Sequence, residues 1–172
     1  MLPPRPPERP YMASHFPKNH RLRGFYRLLA LVAGGYCLVF GVVGIVRTRA
    51  AGLFDIGPHW ALGLKTNLAF SILSIVVGVV AIGATVIGRN VDRHLNVILG
   101  PGFIAVGILM MALMQTNANI LNFSMSTCIV SFVIGLVFLI SGFYGEVAHP
   151  AAAAAEERFR HNAPDPERLR HP

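Results

Sequence analysis

Residues 68–87 read LAFSILSIVVGVVAIGATVI, a run with no Asp, Glu, Lys, Arg or His. A helix of about 20 residues measures about 30 Å, the thickness of a bilayer's hydrocarbon core. A helix on the surface of a soluble domain keeps one polar face for water, and this run has none. The stretch reads as a transmembrane helix.

Three further apolar stretches of similar length lie at 28–46, 97–114 and 127–144, each also free of those five residue types. Across the 172 residues only 13% are Asp, Glu, Lys or Arg, while 53% are hydrophobic. Soluble domains carry about 25% charged residues. The expected fold is an all-α polytopic membrane protein with four transmembrane helices in a compact bundle over residues 25–146. Residues 1–24 are expected to form a basic, proline-rich, disordered cytoplasmic arm. The tail at 147–172 is expected to hold a short helix at its alanine run, followed by disorder. A cleaved signal peptide fits the first span poorly, because its apolar core is long and a 27-residue arm precedes it.

The loops set an orientation. Twelve Lys and Arg fall in the two tails and the loop between the second and third spans, against Arg47, Arg49 and Lys65 on the other side. That asymmetry places both termini in the cytoplasm of a cell-membrane protein. Phe25, Tyr26, Phe143, Tyr144 and Trp60 stand where interfacial aromatic anchors are expected. The net charge of +7 flanks hydrophobic spans and forms no basic face on a folded module, so nucleic acid is not an expected partner. The basic arm is instead expected to touch anionic lipid. Its Pro-x-x-Pro spacings fit a polyproline ligand or a plain extended tail.

Shifting the second span by 57 residues lays Ser74 on Ser131, Gly78 on Gly135 and Gly88 on Gly145. A looser match puts Gly35-Tyr36 on Gly102-Phe103. A parallel two-plus-two repeat is one reading, chance alignment of apolar helices the other. Ser74 with Gly78, Ser131 with Gly135, and Ala33 with Cys37 and Gly41 are small residues four apart on one helix face. Such stripes let two membrane helices approach closely. They serve packing within the bundle or a homo-oligomer seam. The chain also reads as a subunit for a larger membrane-protein partner.

No pattern for a nucleophile, a P-loop or a metal site occurs, so neither enzymatic activity nor a cofactor is expected. Cys37 and Cys128 give no disulfide framework. Pro101, between two glycines, is expected in the first turn of the third span. The most varied outer segment holds Asp55, His59, Trp60 and Lys65. Asp55 and His59 are two candidate ligands, short of the three or four that zinc needs. Asn122-Phe123-Ser124 fits a glycosylation sequon. The expected role is non-enzymatic interaction, scaffold or accessory-subunit work. The alternative is a small transporter or channel for a neutral or small solute, alone or as a homo-oligomer, with Tyr36, Ser74, Ser131 and Ser141 supplying a polar path.

Residues 24–146 resemble an actinobacterial membrane family catalogued as domain of unknown function 4383. The resemblance rests on four short spans and on Asn67-Leu68-Ala69 followed, after eight residues, by Gly78. It implies a multi-pass cell-membrane protein with no established activity. Phe70 and Ser74 stand where that family's pattern places histidines, so no histidine-based role carries over.

Overall fold

The computed structural model describes residues 22–146. Four helices follow in order: α1 (Arg23–Thr48), α2 (Leu68–Ile87), α3 (Val91–Leu113) and α4 (Met125–Tyr144). The strands β1 (Trp60–Ala61) and β2 (Leu64–Lys65) form a small antiparallel hairpin before α2. All four helices are long and apolar enough to cross a membrane. The Pro-x-x-Pro spacings and the alanine-rich tail lie outside the described residues.

Two helix starts differ from the expected ones. Helix α1 begins at Arg23, before the apolar stretch and inside the segment expected to be a disordered arm. Helix α3 begins at Val91, almost two turns before residue 97. Apolar patterning marks where a helix meets lipid, whereas charged residues continue a helix into the headgroup region at little cost. Pro101 consequently sits mid-helix and not in a first turn. There its missing N–H leaves the Val97 carbonyl without its usual intrahelical donor. The turn into α3 is short because Gly88, at φ +66°, ends α2 and donates its N–H to the Ala84 carbonyl at 2.9 Å. Glycine takes that left-handed conformation without a side-chain penalty.

Small residues crowd the contacts between helices, and large apolar side chains cover the outside. Ala30, Ala33, Ser71, Gly78, Ala81 and Gly135 are buried. Val46, Val86 and Ile98 are more than 60% exposed. An apolar surface of that extent belongs against hydrocarbon.

Helices α1 and α2 form one tight hairpin, and α3 and α4 form another. A methyl group built on Gly78 would lie 2.7 Å from the Leu38 backbone nitrogen and 2.8 Å from the Gly34 carbonyl oxygen. One built on Gly135 would lie 2.8 Å from the Gly100 carbonyl oxygen and 3.2 Å from the Ile104 backbone nitrogen. Glycine is required at both crossings because the backbones touch. The contacts recur at constant spacing. Gly34 and Gly100, Leu38 and Ile104, and Gly41 and Gly107 stand 66 apart, while Gly78 and Gly135, and Ile82 and Leu139, stand 57 apart. The contact spacing sets Gly34 against Gly100, whereas the looser sequence match sets Gly35 against Gly102.

Candidate functional site

The two hairpins meet mainly through α1 and α4, where Ala30, Ala33, Cys37, Ala81, Ile134 and Phe138 form a buried cluster. Helices α2 and α3 are joined by the turn at 88–90 but stand apart along their middles. A cleft of about 270 Å³ remains between them. Leu73, Val77, Leu99, Phe103 and Val106 make its walls, and Ser74 and Ser131 are the polar side chains that reach it. Exposed Leu73, Ile98 and Val106 mark a mouth that faces sideways, toward lipid. Phe70 and Phe123 close the loop end with ring centroids 4.6 Å apart. Phe70, Ser74, Phe103 and Ser131 also line a smaller cavity of about 20 Å³ deeper in the bundle, beneath Leu64.

The two serines that reach the cleft differ in their hydrogen bonds. Ser74 donates to the Phe70 carbonyl one turn back, at 2.8 Å. Serines in membrane helices commonly bond this way, and Ser71 and Thr85 do the same, to Asn67 and Ala81. Ser131 is only 5% exposed, and its hydroxyl has no hydrogen-bond partner among the described residues. It sits about 9 Å below the start of α4, at 1.5 Å per residue.

The other sequence-derived residues separate into groups. Ala33 and Cys37 face the α1–α4 core. Gly41 packs on the backbone of α2 at Ser71 and Ile75. Gly78 and Gly135 sit at the hairpin crossings, so the small-residue stripes are split. Their glycines meet a neighbouring helix and their serines meet the cleft. Tyr36 is half-buried beside the inner cavity, and Ser141 is buried with its hydroxyl unpartnered.

Over the loop end, Asp55 Oδ2 and His59 Nε2 lie 2.8 Å apart across a turn at Gly57. Trp60 and Lys65 pair in the strand register beside them. Among the described residues no group of three or more His, Cys, Asp or Glu is placed to hold a metal. Buried asparagines lock this end. Asn122 donates to the carbonyls of Gly57 (2.9 Å) and Thr66 (2.8 Å), and Asn67 donates to Ile120 (2.7 Å). Asn119 donates to Phe123 at 2.9 Å. Asn122 is 1% exposed, so the sequon residue is a buried strut with no room for a glycan in this fold.

A charged cluster lies at the opposite end, in a segment before residue 97 that apolar patterning alone marks as loop. Asp92 is 2% exposed, with Arg27 Nε at 3.3 Å and Arg23 Nη2 at 3.9 Å from its Oδ2. Arg23 also donates to the Gly145 carbonyl at 3.2 Å, and Arg27 to that of Thr85. Arg93 pairs with Glu146 at 2.9 Å. Tyr26 stacks on Tyr144 with centroids 5.0 Å apart. One latch thereby ties α1 to the ends of the other three helices. The signal that would have located it is the four-residue spacing of Arg23 and Arg27, with Asp92 just after the Gly88 turn.

Comparison of the chain with protein-family models, with curated proteins and with solved structures finds no match in any of the three, so the resemblance drawn from residues 67–78 gains no support there.

Proposed function

We propose that this protein is a non-enzymatic interaction or accessory subunit of the cell membrane, with both termini in the cytoplasm, and that its binding surface is the α2–α3 side. The observation that carries the reading is the uneven cover of the helices. Only 22% of the α3 span and 33% of the α2 span are buried, against 39% for both α1 and α4. Ile98, Gly102, Val106 and Leu109 follow helical spacing along the open side of α3. A partner helix laid there would gain dispersion contacts that the bundle itself leaves unmade. The orientation is supported by the excess of Lys and Arg in the tails and the 88–90 turn. The basic arm would add attraction to anionic lipid, about 1 kcal/mol for each basic residue near the surface.

The equal spacing of the glycine contacts supports a further part of this proposal, that the two hairpins are copies of one ancestral pair. Each starts and ends on the same side, unlike the inverted repeats of many transporters.

The test is site-specific photocrosslinking in native membranes, with a tag on the C-terminal tail. Crosslinkers at Ile108 and Leu109 of α3 are expected to trap one membrane protein or a second copy of this chain. Crosslinkers at Val39 and Val42 of α1 are expected to trap none. Adducts to lipid alone from all four positions would overturn the reading. A transporter for neutral solutes is the second reading, favoured by the two cavities sharing Ser74 and Ser131. Solute flux in proteoliposomes with no crosslinked partner would support it over the first.

A further inference from the structure

We infer that the α2–α3 cleft is a binding site for a neutral, single-chain lipid-like molecule whose one hydroxyl or carbonyl oxygen engages the Ser131 hydroxyl. The cleft is closed at the loop end by the Phe70–Phe123 contact, and its exposed rim residues Leu73, Ile98 and Val106 open it sideways. Its occupant must arrive from the bilayer core. A charged ligand finds no counter-charge on these walls, and an unpaired charge in such a place is strongly disfavoured. A helix about 10 Å wide takes up roughly 120 Å³ per residue. A cleft of about 270 Å³ therefore admits only a corner of one. The same space suits roughly nine groups the size of a water molecule at about 30 Å³ each, which is a run of chain methylenes.

Ser131 supplies selectivity among such chains. The residue is 5% exposed, lines both cavities and forgoes the bond to its own helix that Ser74 makes. It can donate to a carbonyl, or donate to and accept from a hydroxyl. A hydroxyl facing an apolar cleft without a partner is unfavourable, and a ligand oxygen would supply the missing bond. Gly102 lines the cleft with open space where a side chain would stand. The chain of a ligand would lie against it. The inference does not rest on the partner reading: Ile98, Gly102 and Val106 belong to both surfaces, but the chain probes read the cleft and the crosslinkers at Ile108 and Leu109 read the partner, so each can fail without the other.

The test uses the full chain in lipid nanodiscs and three photoreactive probes with chains of about ten carbons: an alcohol, a ketone and a plain alkane. The alcohol and ketone are expected to label residues 70–77 and 98–106 several-fold more than the alkane does. Gly102→Leu fills the space, and labelling by all three probes falls to background. Gly83→Leu also points into open space but does not line the cleft, and leaves labelling unchanged. Ser131→Ala brings the alcohol and ketone down to the alkane level and leaves the alkane as it was. That last arm needs only a minimal substitution, so it stands even if Gly102→Leu disturbs the fold. Equal labelling by the three probes in the unaltered protein would overturn the inference. So would labelling that Ser131→Ala does not change.

Discussion

At the scale of single residues, stability depends on where glycine and charge are placed. Gly78→Val and Gly135→Val each push a branched side chain against backbone atoms less than 3 Å away. Each is expected to destabilise the bundle by about 3 kcal/mol, at the upper end of overpacking costs because the neighbouring atoms are backbone. Gly83 meets nothing within 4 Å, so Gly83→Ala is expected to gain about 0.5 kcal/mol from helix propensity. Reversible unfolding in mixed micelles measures all three. The Asp92 latch predicts an asymmetry. Arg27→Met leaves a buried carboxylate with its remaining arginine at 3.9 Å, and is expected to cost about 3 kcal/mol. Asp92→Leu frees two arginines that are 27% and 35% exposed and can turn to water. It is expected to cost about 1 kcal/mol. Equal losses in the two variants would contradict this account of the latch.

At the scale of elements, the asparagine struts hold two loops that have almost no regular structure. Asn122→Ala orphans the carbonyls of Gly57 and Thr66 together. It is expected to cost about 2 kcal/mol and to raise amide hydrogen exchange at 57–66 before any helix loosens. The four helices were legible in the sequence because apolar length is a direct physical requirement of the bilayer. The starts of α1 and α3 were not. Arg23, Asp92 and Arg93 carry no apolar signal, so α1 and α3 read as shorter than they are. Pro101 was misplaced into a first turn for the same reason. Of the cleft, Ser74 and Ser131 were legible as a matched pair. Their exposure to a cavity was not, because helical spacing gives the face of a residue and not the width of the gap beside it. The Asp55–His59 pair has helical spacing yet forms across a turn, which Gly57 and Pro58 allow.

At the scale of the whole molecule, two rigid hairpins are fastened to each other at both ends and left apart in the middle of one side. The orientation proposed from the loops predicts a simple labelling result. A cysteine at Ile56, which is 51% exposed, should react with an impermeant maleimide on intact cells, and one at Arg89 only after lysis. The reverse pattern would invert the topology. The central claim is that the gap between α2 and α3 is open to hydrocarbon. Nuclear Overhauser contacts in lipid nanodiscs test it most directly. The account predicts contacts from lipid-chain or ligand-chain methylenes to the recessed Phe103 and Ser131 as well as to the outward Leu73 and Ile98. Contacts confined to Leu73 and Ile98, with Val77 touching Val106 across a closed gap, would contradict it.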